Sequence, residues 1–442
     1  MRRKRHWKVL HCSCSECRAE IFSFQVSLRL RVYDILVTKK GRCYEMKRFY
    51  KMIAVLIALC MMLSIGTMNA MAETASPIYS ADDLFSNRDL KQTADLSEAT
   101  AFTVADGQDI HITAAGVYVL TGTASNVTVY VEAGKDDKVQ LVLDNLNVTN
   151  SSFPVIYGKT ADKLFVTTSG DSTLAVTGTF ATDDGNKING VIFSKTDLVL
   201  NGTASLAIAS TENGIVGKDD LKITGGVYTV TAKTKAIDAN DSIRIADGTL
   251  NLTAGTDGLH AENNDDAQKG YIYIGGGSIT IYAGDDGVHA TSVVQIDGGT
   301  LSIQAAEGIE GTYIQLNGGT LSIQATDDGI NAGRKSSAYT PTVEINDGDI
   351  SVTMGAGDTD GIDSNGNIIV NGGTIRVNGS STFDYDGSAQ YNGGVIIANG
   401  QQVASIPNQM MGGRGGFGGG WGNGNGGNGG NGGWGRGGRG GW

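Results

Sequence analysis

The chain has 442 residues, including 65 Gly and 4 Pro, and a formal net charge of −12. This much glycine without proline excludes a collagen-like protein and is unusual for a helical one. The charge is unevenly divided: residues 1–72 carry 14 Lys and Arg against 4 Asp and Glu, and the remaining residues carry 20 against 42. A body this acidic repels nucleic acid and anionic membranes, so we expect no nucleic-acid partner and favour a protein that collects cations.

The region around residue 46 has the pattern of a secretory signal peptide. A short basic segment (46–51) precedes an apolar run (52–65) and an Ala-Met-Ala cleavage signal (70–72). The apolar run is shorter than the ~20 residues that a membrane span needs. We therefore interpret residues 46–72 as a signal peptide and expect a secreted protein with no transmembrane segment in the mature chain.

Residues 1–45 precede this signal peptide and carry four of the five cysteines. Their C-x-C-x-x-C spacing lacks a second Cys or His pair, so it is a weak indication of zinc. We interpret the segment as upstream sequence translated from a start codon that was placed too early. The fifth cysteine, Cys60, follows Leu59, where a lipoprotein anchor would need a small residue.

From Gly190 onward one phrase recurs, in which G-I-x-A is followed by I-x-I-x-G-G-x-L-x-I-x-A and an acidic pair. Its copies begin at Gly190, Gly214, Ala236, Gly258, Gly287, Gly308, Gly329 and Gly361. They are 21–24 residues apart, except for two steps of 29 and 32 residues that contain insertions. Each copy holds three short alternating runs, which predict strands, and Gly-Gly or Asp-Gly between them predicts turns with positive φ.

Three strands this short cannot bury a face alone, but stacked copies can. The repeat therefore predicts an all-β, single-domain parallel β-helix with coils about 4.8 Å apart. Leucine-rich repeats have a similar period but need an L-x-x-L-x-L frame, which is absent. A β-propeller would need about 40–45 residues per blade.

The solenoid is expected to cover residues 100–407, because alternating runs with a less regular repeat continue back to residue 100. Residues 73–99 are interpreted as an N-terminal linker or cap that covers the open end of the solenoid. Residues 408–442 hold 20 Gly, three Arg, three Trp and no acidic residue, which predicts a disordered tail. For this tail we expect contact with the cell wall, with glycans or with the acidic solenoid, rather than with RNA.

Acidic residues recur with the coil in two columns. The first column lies just before the repeat glycine and comprises Asp257, Asp285, Asp286, Glu307, Asp327, Asp328, Asp358 and Asp360; the second lies two residues after it and includes Glu310 and Asp363. Stacked carboxylates about 5 Å apart repel by about 1–3 kcal/mol unless a cation lies between them. Calcium accepts 6–8 oxygen ligands in flexible geometry, so these residues are predicted to bind several Ca²⁺ ions. The competing interpretation is that Asp-Gly simply makes good turns on a solvated edge.

Two further residue types are candidates for ligand binding. His260 and His289 occupy the second column in successive copies, where they suit a transition metal, a general base or a surface ladder beside calcium. The tyrosines on or beside strands are candidates for stacking on sugar rings: Tyr271, Tyr273, Tyr282 and Tyr313. The competing interpretation of the tyrosines is packing beneath the long insertions.

Two N-terminal phrases, ITAAGVYVLTGT from Ile112 and KVQLVLDN from Lys138, accompany the D-D-G-I/V-x-A coils. Together they resemble the bacterial carbohydrate-binding-domain family of secreted right-handed parallel β-helices, over roughly residues 80–400. The resemblance implies calcium along the solenoid and affinity for acidic plant polysaccharide such as pectin, notably polygalacturonate. Members are similar in fold to pectate lyases but are regarded as binding modules. Lys235 stands where other copies carry an acidic residue, which argues against a metal at that coil.

Three functions follow from these observations. The leading one is calcium-dependent, non-catalytic binding of acidic polysaccharide at the cell surface, with calcium between protein and uronate carboxylates. The second is a polysaccharide lyase that uses calcium-assisted β-elimination and a basic side chain. Its candidate bases are Lys218, Lys233, Lys235, Arg244 and Lys269. The third is a structural adhesin, in which the solenoid is a spacer.

Overall fold

The computed structural model of the chain describes residues 76–356 and 359–408. In these residues it contains one short helix, α1 (Ala81–Leu84), and strands β1 to β38. The upstream segment 1–45, the signal peptide 46–72 and the tail beyond residue 408 lie outside the described residues. Within the described part, no helix is both long enough and apolar enough to span a bilayer.

The strands stack in parallel on three faces, which confirms the predicted all-β parallel β-helix. Face 1 is a twelve-stranded sheet, made of β2 (Ile110–Ile112), β4 (Val129–Glu132), β6 (Ile156–Thr160), β11 (Gly190–Ser194), β14 (Asn213–Gly217), β17 (Ile237–Ala239), β20 (Leu259–Ala261), β23 (Asp286–Ala290), β26 (Glu307–Gly311), β29 (Ile330–Ala332), β32 (Asp360–Ser364) and β35 (Ser381–Tyr385).

Faces 2 and 3 together form a 24-stranded sheet. Face 2 contains β7 (Lys163–Thr168), β12 (Asp197–Gly202), β15 (Asp220–Ile223), β18 (Ser242–Ile245), β21 (Tyr271–Ile274), β24 (Val293–Ile296), β27 (Tyr313–Leu316), β30 (Thr342–Ile345), β33 (Asn367–Val370) and β36 (Ala389–Tyr391). Face 3 contains β8 (Ser172–Val176), β13 (Ser205–Ser210), β16 (Val227–Ala232), β19 (Thr249–Ala254), β22 (Ser278–Ala283), β25 (Thr300–Ala305), β28 (Thr320–Ala325), β31 (Asp349–Met354), β34 (Thr374–Asn378) and β37 (Val395–Ala398).

The first coils and the C-terminal end are less regular. β3 (Gly116–Ser125) and β5 (Lys138–Asn150) run through both faces, and β1 (Thr100–Thr103) pairs with β3. A small hairpin, β9 (Thr182–Asp183) with β10 (Asn186–Lys187), lies beside the solenoid strands. β38 (Gln401–Val403) pairs antiparallel with β37 and so covers the last edge with a non-repeating strand.

Alternation along each strand builds the core. In Thr300–Ala305 every second side chain is buried, so Leu301 and Ile303 point inward and the residues between them point to solvent. The paired register places Leu301 beneath Leu321, and the same holds from coil to coil. These inward columns of Ile, Leu and Val form one continuous hydrophobic core along the solenoid.

Two kinds of glycine are required by the coil. Gly299, in the turn between faces 2 and 3, has a φ of +90°, which confirms the predicted positive-φ turn. Gly308, the repeat glycine of face 1, is needed for a different reason. A Cβ at Gly308 would overlap the carbonyl oxygen of Gly329 and the side chain of Ile323, so only glycine allows the coils to approach this closely.

The segment predicted as a linker or end cap instead lies along the side of the solenoid. Residues 76–92, here called the N-terminal strap, cover part of face 2. Tyr79 stacks on Tyr271 at 4.3 Å between ring centroids, and Phe85 packs on Tyr273 at 6.1 Å. The strap thereby hides a surface that repeat analysis alone would leave exposed.

Candidate functional site

Face 1 carries the second predicted column in a single line. In the paired register, equivalent positions of successive coils are occupied by Asp238, His260, His289, Glu310, Asn331, Asp363 and Asp384. The first column runs beside it, at Asp257, Asp286, Glu307, Asp328 and Asp360. We call these twelve positions together the acidic strip. Asp285 and Asp327 are exposed at its edge, and Asp358 lies outside the described residues.

Some carboxylates of the strip also hold the coils together. The side chain of Asp328 accepts a hydrogen bond from the backbone N–H of Asp360 in the next coil, at 3.1 Å. Asp257 accepts one from Asp286 at 3.4 Å. One oxygen of each of these two carboxylates therefore bonds to the backbone of the next coil, which is a contact between coils and not within an Asp-Gly turn.

At its N-terminal end the strip lies against basic side chains. Lys235 Nζ lies 3.5 Å from Asp238 Oδ1 and 3.9 Å from Asp257 Oδ2. His260 Nδ1 lies 2.9 Å from Asp238 Oδ1, and its ring stacks on that of His289 at 4.7 Å. Although burial opposes ionisation, the hydrogen bond with His260 and the charge of Lys235 hold the pKa of Asp238 below its usual value.

The next two coils together hold a compact triad of two carboxylates and one imidazole, with Asp286 and His289 on β23 and Glu310 on β26. His289 Nδ1 lies 2.6 Å from Asp286 Oδ2 and 2.8 Å from Glu310 Oε2, and Lys335 Nζ lies 2.6 Å from Glu310 Oε1. One ligand atom from each member of the triad lies within 4.8 Å of the others, a set that suits a divalent metal. Burial alone would lower the pKa of His289, but hydrogen bonds to both carboxylates raise it to about 9. A metal bound there would have to displace the imidazole proton.

Beyond the triad, the part of the chain that the structure describes offers the acidic strip no basic side chain. Five of its carboxylates form no ion pair with a Lys, Arg or His of the described residues: Glu307, Asp328, Asp360, Asp363 and Asp384. We call these the uncompensated carboxylates. Only an amide mediates between two of them, since Asn331 Nδ2 lies 3.2 Å from Glu307 Oε2 and 3.4 Å from Asp328 Oδ2.

The electrostatic cost of this arrangement appears in the pKa values. Burial, and then the neighbouring carboxylates, raise the pKa of Glu307 to about 7, of Asp328 to about 6 and of Asp363 to about 7. The same two causes raise the pKa of Asp384. Each shift means that the folded protein resists the full ionisation of this group of carboxylates.

The uncompensated carboxylates fit a calcium ion. Among the described residues, Asp360 Oδ1 and Asp384 Oδ1 are buried and have no hydrogen-bond partner. Buried carboxylate oxygens of this kind require a donor or a cation. The donor set consists of carboxylate oxygens and one amide, which are hard oxygen ligands of the type that calcium prefers.

The candidate bases for a lyase do not converge. Lys233 is exposed, Lys218 approaches Asn240, Lys269 pairs with Asp241 and Arg244 pairs with Asp220. Lys235 is the one member of that set that the structure places beside the acidic strip.

The four candidate tyrosines differ in how far they are exposed. Tyr271 and Tyr273 are 8% and 2% exposed beneath the strap, so the expectation that they present free rings to a sugar is wrong. Tyr313 is half-buried: its hydroxyl donates to Glu344, and its ring packs on Tyr339 of a long insertion. Tyr282 is 54% exposed, and it lines a groove of about 610 Å³ on face 3.

Sequence reasoning missed Asp384 and Lys335. Asp384 lies in the last coil, which has no D-D-G signature, although its place in the register could have been found by extending the column one coil further. Lys335 lies in an insertion that is not part of the repeat, so counting along the repeat could not place it beside Glu310.

A family model described as "Carbohydrate-binding domain-containing protein" matches residues 106–355 and 309–402, which is more than half of the chain. The chain belongs to this carbohydrate-binding domain family. A relative with the same description from Acetivibrio thermocellus is 35% identical over 130 residues, or 28% of this chain.

That alignment covers 46% of the relative, so the chain spans less than half of its length. A solved structure, described as the polysaccharide lyase-like protein from C. thermocellum in a gadolinium derivative, aligns with a TM-score of 0.44 and 30% identity. The alignment covers 50% of this chain and 92% of that chain.

Proposed function

We propose that this protein is a secreted, non-catalytic binder of acidic polysaccharide such as polygalacturonate, and that binding depends on calcium held by the acidic strip. The family match supports carbohydrate binding in general. The observation that carries the finer proposal is the group of uncompensated carboxylates, which lie in the two columns of the acidic strip without a basic partner in the described residues.

A polyanionic ligand would not approach this surface without a mediator. Beyond residue 72 the chain carries 42 acidic against 20 basic residues, so protein and uronate repel each other at long range. Calcium bound by Asp328, Asp360, Asp363 and Asp384 would neutralise the column and present open coordination positions to uronate carboxylates. Asn331 would orient Glu307 and Asp328 through its amide hydrogen bonds.

Retention on immobilised polygalacturonate tests the proposal directly. The wild-type protein should be retained in calcium and released by chelator. The double variant Asp328→Asn/Asp363→Asn removes two charges with little change in volume, and it should weaken retention by at least about tenfold. Asp136→Asn, in an exposed turn of the N-terminal coils, is the matched control and should bind as the wild type does.

A tail-deleted chain ending at residue 408 completes this design. If it loses all calcium-dependent retention while Asp328→Asn/Asp363→Asn keeps it, the Arg- and Trp-containing tail holds the polysaccharide and the proposal is wrong.

Lyase activity is a second candidate because Lys235 lies beside Asp257 on the strip. Absorbance of unsaturated product from polygalacturonate with calcium would detect it. Under our proposal no product forms. If product does form and Lys235→Met abolishes it, the function is catalytic.

A further inference from the structure

The N-terminal strap crosses several coils of face 2. Its backbone pairs with glutamine side chains of two successive coils: Ile78 N lies 3.1 Å from Gln315 Oε1, and Tyr79 N lies 2.7 Å from Gln295 Oε1. Gln295 also donates to the carbonyl of Tyr79 at 2.9 Å. Several coils closer to the N-terminal end of the solenoid, Gln92 Oε1 accepts the backbone N–H of Gly202 at 2.9 Å. The strap thus crosses the strands and contacts successive coils in turn.

Asp89 of the strap is inserted into a basic pocket. Its side chain is completely buried, with Oδ2 3.0 Å from Lys222 Nζ and Oδ1 3.3 Å from Lys163 Nζ. The hydroxyl of Thr224 donates to the Asp89 carbonyl at 2.6 Å, which fixes the backbone at this point. Two lysines therefore face the carboxylate of Asp89, and the hydroxyl of Thr224 binds the backbone carbonyl of the same residue.

Without the strap, Lys222 would lose the carboxylate with which it forms an ion pair. Lys163 also pairs with Asp197, and Arg244 pairs with Asp220. For Lys222, however, Asp89 is the one ion-pair partner in the described part of the chain, and Lys222 is only 7% exposed. A buried ammonium group is costly unless a carboxylate faces it. In a solenoid that is otherwise strongly acidic, face 2 thus retains a binding position for one anion.

Aromatic rings flank this position. Tyr79 stacks on Tyr271 and Phe85 packs at a tilt on Tyr273, so two aromatic rings of the strap cover two neighbouring tyrosines of face 2. Arg88 places its guanidinium 4.7 Å from the ring centroid of Phe165. Displacement of the strap would uncover Tyr271 and Tyr273 two coils from Lys222, and aromatic faces close to a charged group suit a charged sugar.

We propose that face 2 beneath the strap is a second binding site, for an oligosaccharide that carries carboxylate groups, and that the strap occupies it as an internal ligand. Asp89 stands where a uronate carboxylate would bind to Lys222 and Lys163, and Tyr271 and Tyr273 lie where sugar rings would stack. This site shares its ligand class with the function proposed above, but it uses lysine in place of calcium and a different face. Its ligand competes with the strap.

The test uses short oligogalacturonate as the probe and chelator throughout, so that the acidic strip does not contribute. In the full chain, Asp89→Asn/Tyr79→Ala/Phe85→Ala loosens the strap and should bind the oligosaccharide at least tenfold more tightly than the wild type by calorimetry. Adding Lys222→Met to this variant should remove the gain. Fully methyl-esterified oligogalacturonate, which lacks the charge, should not bind to either variant.

Two measurements keep the test decisive if the triple variant folds poorly. Asp89→Asn alone preserves side-chain volume and should give a smaller gain of the same sign. In the wild type, oligogalacturonate should speed tryptic cleavage after Arg88 and Lys91, because the ligand displaces the strap. If the strap stays equally protected and neither variant gains affinity, the strap is a permanent part of the fold and the inference is wrong. Loss of calcium-dependent retention in the wild type would instead contradict the function proposed for face 1 and leave this result unaffected.

Discussion

The outward column of face 1 has two halves with the same backbone register and opposite chemistry. In the N-terminal coils its successive positions are Tyr130, Tyr157, Phe193 and Val216, packed against Phe153 and Ile188. In the C-terminal coils they are the second column of the acidic strip, from Asp238 to Asp384, in which Asn331 is the one amide. The stacking distance is imposed by the β-helix in both halves, so the difference lies in the side chains alone.

Stacking at the coil spacing is favourable for the side chains of the aromatic half and unfavourable for those of the acidic half. Tyr157 and Phe193 meet edge to face with 5.8 Å between ring centroids, an arrangement worth about 0.5–1.5 kcal/mol beyond the buried area. Asparagines in the turn after face 2 also satisfy one another, as Asn346 Nδ2 lies 2.7 Å from Asn317 Oδ1. Carboxylates at the same spacing repel. The aromatic half is therefore complete as it stands, whereas the acidic half gains from a cation.

The largest expected effect tests whether the aromatic half is purely structural. Phe193→Ala removes a ring that is almost fully buried and should destabilise the protein by about 3–5 kcal/mol. Denaturant unfolding with and without calcium measures this loss. The stabilisation by calcium should be unchanged, because Phe193 lies several coils from the uncompensated carboxylates. If calcium stabilisation disappeared as well, the two halves would be coupled.

Calcium removal should act on the acidic half. A site filled at 100 times its dissociation constant adds about 2.7 kcal/mol, so chelation should lower the Tm of a solenoid of this size by about 4 °C. Asp328→Asn/Asp363→Asn should show little change on chelation. In chelator the variant should be at least as stable as the wild type, because it lacks the repulsion that raises both pKa values. A variant that was equally destabilised in calcium and in chelator would place these carboxylates in a purely structural role.

A smaller effect is expected from pH in the presence of chelator. The raised pKa values of Glu307, Asp328 and Asp363, about 7, 6 and 7, lie above the value of about 4 expected in the unfolded chain. The folded state therefore binds more protons between pH 4 and 7, and stability falls as pH rises through this window. Raising the pH from 5.5 to 8 should lower the Tm by about 2–4 °C in chelator.

Calcium should make the Tm less dependent on pH, since the ion favours the ionised carboxylates. His289, with its pKa raised to about 9, contributes stability that is complete below about pH 6.5 and lost as pH rises through 9. Scanning calorimetry at several pH values separates the two windows. If the Tm in chelator instead rose with pH between 5.5 and 7, this would contradict the raised pKa values of Glu307, Asp328 and Asp363.

Periodicity explains which parts of this molecule could be predicted. The 21–24-residue repeat determines the coil, and positions such as Glu310 and Asp363 follow from it by counting. The strap could not be predicted in this way, because residues 76–92 carry no repeat. Their contacts with Gln295 and Gln315 span 216 and 237 residues of sequence. The same limit explains Tyr271, whose exposure depends on a segment that is remote in the chain.

The smallest expected effect concerns face 3, which provides the opposite case to the acidic strip. Its outward positions around Tyr282 are uncharged, with Gln304 and Gln324 in the next coils, so stacking there creates no repulsion that a cation would relieve. Tyr282→Ala should therefore change stability by no more than about 0.5 kcal/mol. Calcium-dependent retention on polygalacturonate should stay within about twofold of the wild type.

The measurement for Tyr282→Ala is the same affinity column, with Phe193→Ala as a control for general loss of fold. A neutral groove offers an acidic polymer only ring stacking and amide hydrogen bonds, and neither depends on calcium. If Tyr282→Ala abolished retention while Asp328→Asn/Asp363→Asn retained it, the polysaccharide would lie on face 3. The repulsion along face 1 would then have to be balanced by ions that never contact the ligand.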